Sequence, residues 1–369
     1  MINFDKAAQT PILPEVKEAV LEAMDEGYGN PSALYSIGRK AKKKLEECRE
    51  IIAGTINASP DEIVFTSGAT EANNWIQKSF GECITSEIVH HSLFGSYNEI
   101  PLDKKNRLTR EQIKYFCDIV MPKYFFGDVF SIAIEYINSE IGTVAEVLEI
   151  GQELQHRAGL QLYVDTTQAY GHIPIDVKKD GMSFMCTSAQ KFGGLAGTGF
   201  LYAKNKIICP LQTGGHQEHG FRAGTENLIG IIAMTKAAEI AHTNMKEKRR
   251  KVSEIRNRLY GEITNNIPCA HLNGSADWRY RYEGNLNFRF DGYKGEEIQS
   301  FLNDFDVLVS TGSACASGSG EPSHVLKAIG LSDDEANSSI RFSFDSDNHI
   351  KEVKTVMEVL MAALEALKK

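Results

Sequence analysis

Phe184-Met-Cys-Thr-Ser-Ala-Gln-Lys191-Phe-Gly-Gly-Leu-Ala-Gly-Thr-Gly199-Phe-Leu-Tyr-Ala203 opens and closes on short apolar runs, and its middle, 187–199, carries one lysine and four glycines. Apolar runs of this length bounded by glycines read as strands, Phe184-Met-Cys186 and Gly199-Phe-Leu-Tyr-Ala203. A lysine that follows a buried strand stands at the edge of a sheet, where α/β folds gather their sites. In a desolvated place its amine has a lowered pKa and can form a Schiff base. The glycines would let the backbone approach a flat ring and its phosphate. A surface lysine that keeps its head in water fits the same letters equally well.

Outward from this stretch, Glu62-Ile-Val-Phe65, Phe130-Ser-Ile-Ala-Ile134 and Leu160-Gln-Leu-Tyr-Val164 are further apolar runs. Between them lie amphipathic stretches such as 14–24, 38–55, 147–158 and 227–244, with apolar residues at three- and four-residue steps. Strand and helix patterns in alternation indicate an α/β domain on a largely parallel sheet. After a charged helix near 245–265 the texture changes to Asn285-Leu-Asn-Phe-Arg-Phe290, Ser339-Ile-Arg-Phe-Ser-Phe344 and a last helix from Asp347, a smaller α+β unit. A length of 369 residues suits two such units.

The net charge of −9 disfavours nucleic acid and anionic membrane surfaces, which call for basic patches. The basic run 246–251 reads as a solvated helix face. No run approaches a membrane span in length and the N-terminus lacks a signal-peptide layout, so the chain reads as cytoplasmic. Seven cysteines without paired spacing suit reduced thiols, and no metal site is expected. Cys48, Cys83, Cys117, Cys186, Cys209 and Cys269 sit within or beside apolar or helical patterns and read as packing residues.

Four more segments carry chemistry. Thr66-Ser-Gly-Ala-Thr-Glu-Ala-Asn-Asn74 follows a strand and opens a helix, so amides and helix dipole converge where a phosphate could be held. The same letters also make an ordinary N-cap turn. In Val164-Asp165-Thr-Thr-Gln168 a carboxylate ends an apolar strand and needs a cationic partner, such as a protonated pyridine nitrogen, unless it is only a helix cap. Val309-Ser-Thr-Gly-Ser-Ala-Cys315-Ala-Ser-Gly-Ser-Gly320 sets a thiol among small polar residues, which suits a reactive, travelling nucleophile better than a packing cysteine. Arg341 alternates with apolar neighbours on a strand and either forks onto a substrate carboxylate or makes a structural ion pair.

In this order the segments resemble the class V aminotransferase-fold family, and within it the cysteine desulfurases of iron–sulfur cluster assembly. The likeness runs from Asp5 to about His349 and includes Gly29-Asn-Pro-Ser32, Asn138-Ser-Glu-Ile-Gly-Thr143, the glycine-rich 214–227 and Pro322-Ser-His-Val-Leu-Lys-Ala-Ile-Gly330. It implies the fold type I of pyridoxal 5′-phosphate (PLP) enzymes: a large domain, 12–250, with a mainly parallel seven-stranded sheet, and a small α+β domain from 1–11 and 251–369 that carries the Cys315 loop. It also implies that Lys191 bonds the cofactor, Asp165 pairs with its ring nitrogen, Gln168 meets the ring hydroxyl and His90 stacks on the ring. Ala69, Thr70, Ser188 and Gln190 would cradle the phosphate, joined by Thr225 from the partner subunit of a homodimer. Ser139 falls at a cofactor-contact position, and Arg341 would take the carboxylate of L-cysteine. The implied activity converts L-cysteine to L-alanine and leaves a persulfide on Cys315 for a protein acceptor.

The chain departs from the family pattern at the cofactor shell. Gln190 stands for the usual His, Ser139 for an Asn too long for serine to imitate, Gln9 for a Thr and Val89 for a Glu. His216 replaces a Gly, His219 an Arg, and Asp345-Ser346 a Gly-Arg pair. These changes motivate two alternatives: a PLP enzyme acting on selenocysteine or another cysteine derivative, and a non-catalytic paralogue that serves as a partner protein. Sequence after the last helix is short, so the tail with which family members dock a scaffold is not expected.

Overall fold

Runs such as Phe130-Ser-Ile-Ala-Ile-Glu135 lack polar alternation because both faces of their sheet are covered. The computed structural model describes residues 1–80, 83–94, 100–121, 130–206, 208–312 and 321–368. The central sheet is built from β2 (Ile63–Thr66), β3 (Cys83–Ile84), β4 (Phe130–Glu135), β5 (Leu160–Asp165), β6 (Phe184–Ser188) and β7 (Gly199–Ala203), after a short β1 (Ile2–Asn3). Its order is β2-β7-β6-β5-β4-β3. β3, β4, β5 and β6 are mutually parallel and β7 alone runs against its neighbours. The sheet is therefore mainly parallel, as expected, with six strands among the described residues where seven were expected.

Helices Pro14–Asp25, Ser36–Thr55, Val147–Leu154 and Leu228–His242 cover one side, and Val16, Leu45, Ile52, Ile150, Ile231 and Met234 join the sheet residues Ile132, Ile134 and Val164 in one apolar cluster. Ala69–Phe80 covers the other side through Trp75 and Ile76, against Tyr163, Phe184 and Leu201. None of the described helices is long and apolar enough to cross a membrane.

A second sheet, β11 (Ser339–Ser343), β9 (Asn285–Phe290) and β8 (Ala270–Leu272), is antiparallel. Helices Met245–Asn266, Gly295–Asp304 and Glu352–Ala366 supply Ile255, Leu259, Ile298, Leu302, Val356 and Leu360 to its core, which also holds Phe4. Phe4 arrives there because β1 pairs in parallel with β10 (Val307–Leu308). The start of the chain is thus fixed beside its last third, and residues 5–10 must run from there to the large sheet.

Candidate active site

The carboxyl ends of β4, β5 and β6 lie side by side, with Glu135 opposite Asp165 and Asp165 opposite Cys186 in the strand register. Asp165 is buried at the end of β5 and accepts from the Asn73 amide at 3.0 Å and from the Thr167 N–H at 2.9 Å. Asn73 is a junction: its amide also donates to Ser92 Oγ at 2.8 Å, and its carbonyl accepts from the Tyr163 hydroxyl and from the Cys186 thiol. Ser92 Oγ in turn lies 2.7 Å from His90 Nδ1, which also accepts the Ser92 N–H. A ring that accepts at Nδ1 and is neutral carries its proton on Nε2. Burial, opposed by Asp165 and assisted by His91 and Lys191, pushes the His90 imidazole below its ordinary range and favours that neutral form.

Lys191 ends a 3₁₀ turn, Ala189–Lys191, that directly continues β6. Its ammonium donates to the carbonyls of Ala7 and Ala8 at 2.8 and 2.6 Å, and the Gln168 amide donates to the same Ala7 carbonyl at 3.0 Å. The lysine is therefore half-buried between the sheet edge and the N-terminal arm, rather than a surface residue. His172 Nε2 lies 3.0 Å from the Lys191 carbonyl and fixes the turn from behind.

The expected phosphate contacts gather at the N-terminus of Ala69–Phe80, a helix of 12 residues. The Ala69 N–H donates to Ser188 Oγ at 2.8 Å, which joins two expected phosphate contacts to each other, while the Thr70 side chain is exposed at the helix start. Gly68 has φ +147°, and a Cβ there would stand 3.1 Å from Ser188 Oγ. A Cβ on Gly199 would lie 2.7 Å from Gly68 Cα, so the glycine pair lets this turn press against β6 and β7. Gly193 has a different reason than the ring approach read from the sequence: a Cβ there would strike Leu13 at 2.7 Å. Gln190 Oε1 is buried without a hydrogen-bond partner among the described residues. The backbone donors of a helix N-terminus and a serine hydroxyl suit a phosphate, whereas the unpartnered Oε1 of Gln190 is an acceptor and does not. The carboxylate of Asp165 suits a protonated pyridine nitrogen.

Arg341, 2% exposed, donates from Nη2 to Asp5 at 2.7 Å and from Nη1 to the Ser139 carbonyl at 3.1 Å. Its Nε is buried without a partner among the described residues. Both readings of this residue therefore have a structural basis: it makes an ion pair, and it keeps a donor in reserve. Ser139 contributes its backbone carbonyl to that pair. Thr225 is exposed, three residues beyond Arg222, whose guanidinium pairs at 3.0 Å with Glu71 in the first turn of Ala69–Phe80. Cys315 lies outside the described residues. Of the other cysteines, Cys48, Cys83, Cys117 and Cys186 are buried as expected, but Cys209 is exposed and Cys269 half-exposed, each in a connecting segment.

Sequence reasoning missed Asn73, Ser92, His172 and Glu135. Asn73 was visible only as one letter of a capping turn, and Glu135 lay one position beyond the apolar run 130–134. Comparison with known proteins places the arrangement in context. The aminotransferase class-V family matches residues 2–356. A cysteine desulfurase IscS from Clostridium botulinum is 38% identical over 97% of this chain and 93% of that protein. A solved NifS-like protein superposes with a TM-score of 0.88, at 28% identity over 99% of this chain and all of that one. SspA in complex with cysteine gives a TM-score of 0.77, at 28% identity over 93% of this chain and 99% of that one.

Proposed function

The chain belongs to the class-V aminotransferase family, and from that membership we infer that it is a PLP-dependent cysteine desulfurase. The observation that carries the reading is the gathering of two hydrogen-bonded sets at one sheet edge: Asp165, Asn73, Ser92 and His90 in one, Lys191 and Gln168 on the Ala7 carbonyl in the other. Bound there, PLP supplies an electron sink for negative charge developing at the substrate α-carbon. Asp165 would hold the ring nitrogen protonated, His90 would lie on the ring face, and Gln168 would meet the ring hydroxyl. Ala69, Thr70, Ser188 and Gln190 would hold the phosphate, with Ser139 beside the site.

Lys191 Nζ is the base that would take the α-proton and later return it. Arg341 would hold the carboxylate of L-cysteine through its unpartnered Nε and a nitrogen released from Asp5 or Ser139. The Cys315 thiolate would then attack the substrate sulfur, forming the S–S bond as the C–S bond breaks. L-alanine leaves after protonation, and the persulfide on Cys315 passes to a protein acceptor. We further propose a large unit over 12–250 and a small unit over 1–11 and 251–369, and a cytoplasmic homodimer in which the exposed Thr225 reaches the partner subunit's phosphate site. Free thiols at all the described cysteines accord with a reducing compartment. No feature of the described residues favours another cysteine derivative or a non-catalytic role.

The test is release of alanine and sulfide from L-cysteine with a thiol reductant, for wild type, Cys315→Ala and Lys191→Ala. Activity in the wild type and its loss in both variants is the expected result. A wild type that binds PLP yet releases neither product refutes the reading.

A further inference from the structure

Glu135 ends β4 at the position paired with Asp165 on β5, so two carboxyl groups stand side by side under the site. Its two oxygens are used differently. Oε1 accepts the His90 backbone N–H at 3.1 Å, and Oε2 accepts the Asn138 amide at 2.9 Å. The same Asn138 amide reaches the Ile88 carbonyl at 2.8 Å, while its oxygen accepts the N–H groups of Glu140 and Ile141, each at 3.0 Å. That holds the 138–141 turn, whose Ser139 carbonyl accepts from Arg341. One side chain therefore ties the backbone of His90, on the ring side, to the turn that supports Arg341, on the substrate side. A cavity of about 10 Å³, lined by Ile88, Val89, Leu108, Asn138 and Thr143, adjoins Glu135, so there is little room for solvent to replace either bond.

We propose that Glu135 is a positioning residue of the proposed desulfurase, setting His90 against the cofactor ring and Arg341 against the substrate carboxylate from a single carboxyl group. The inference rests on the reading above. Burial, reinforced by Asp165 and by Glu140 and opposed by the bonds from Asn138 and His90, pushes the Glu135 carboxyl well above the usual carboxylate range. The groups that face it are Asp165 on β5, His90 on the segment after β3, and Glu140 on the turn. A cation held by Asp165 would favour ionised Glu135, so uptake of a pyridinium ring is linked to loss of its proton.

Cofactor-free wild type, Glu135→Gln and Glu135→Met are titrated with PLP by absorbance at about pH 6 and about pH 8.5, on either side of neutrality. Steady-state kinetics with L-cysteine and thermal melts accompany the titrations. The methionine variant keeps volume and loses both acceptors, so its PLP affinity falls about tenfold and KM rises by a similar factor, with kcat changed less. The glutamine variant keeps one acceptor and cannot ionise, so the ratio of wild-type to variant affinity rises with pH. Wild-type affinity, pH dependence and KM in both variants overturn the proposal, as does a fall in melting temperature with affinity and KM unmoved. Wild type that takes up no PLP refutes the enzyme reading itself, and this inference with it.

Discussion

Replacing Asn73 by alanine tests whether the network beneath the site supports it. The side chain is fully buried and serves Asp165, Ser92, Tyr163 and Cys186 at once. Tyr163 is also fully buried, and burial holds its phenol neutral, so truncation leaves its hydroxyl only the Cys186 thiol as a partner, at a cost of about 1–3 kcal/mol. Asp165 loses the hydrogen bond from the Asn73 amide, a charge-assisted one of about 1.5–3 kcal/mol, and keeps the one from the Thr167 N–H. Water entering the space left by the side chain recovers part of this, so a net loss of about 3 kcal/mol is expected, more than a hundredfold in the folding constant. Urea unfolding of the cofactor-free protein reads the stability, and absorbance titration with PLP reads the site. Affinity should fall by about tenfold, because Asp165 is then free to turn away from the ring nitrogen. Asn73→Asp should lose more affinity for its size, since it sets a second carboxylate against Asp165. A stability loss under about 1 kcal/mol together with unchanged PLP affinity would refute the reasoning.

Arg49 and Glu218, each with a side chain 2% exposed, form a two-bond pair at 2.8 and 2.7 Å, and Glu218 also accepts the Phe65 N–H. Arg49→Met leaves that carboxylate buried without its counter-charge and should destabilise by about 3–5 kcal/mol, which the double variant with Glu218→Gln largely restores in denaturant melts. A carboxyl whose folded pKa is raised, as at Glu135, contributes stability below the ordinary carboxylate range that is lost as pH rises through the raised value. Glu135→Gln should therefore gain on wild type with rising pH in melts of cofactor-free protein, and a constant difference would contradict the shift. Burial pushes the thiols of Cys83 and Cys117 up to about 11. Iodoacetamide on the native protein near neutral pH should then label Cys315 and the exposed Cys209 while sparing Cys83, Cys117 and Cys186, as peptide mass mapping would read.

The position of Lys191 and Asp165 at strand ends was legible in the sequence, because Asp165 closes an apolar run and Lys191 lies a few residues beyond another, and strand ends are where such sheets present side chains. The strand–turn–helix at 63–80 was legible for a similar reason, since a strand, a small-residue turn and a helix follow each other without a break. Asn73 was not, because its partner Asp165 is 92 positions away and an asparagine inside a helix carries no periodic signal. Glu135 closed a strand much as Asp165 does, but its use depends on Asn138 and on a backbone N–H 45 positions earlier. Arg341 was half-read: alternation identified an inward-facing cation, and pattern alone did not reveal that Asp5 meets it. The seventh strand and the environment of Cys315 have no counterpart among the described residues.

The arm from Asp5 to Thr10 crosses the site, where Asp5 meets Arg341, the Ala7 and Ala8 carbonyls take the Lys191 ammonium, and Thr10 donates to the Gln190 carbonyl. Asp5 and Arg341 are 336 positions apart. During synthesis the arm leaves the ribosome 336 residues ahead of its last partner and has to wait until that arginine exists. A nascent chain stopped before β11 would already hold Lys191, Asp165 and His90, yet its buried Phe4 would have no strand of β11 to pack on and Asp5 no arginine. Completion of the Arg341 side of the site is thereby tied to synthesis of β11, and a product that stops before it would lack the arginine while keeping the lysine.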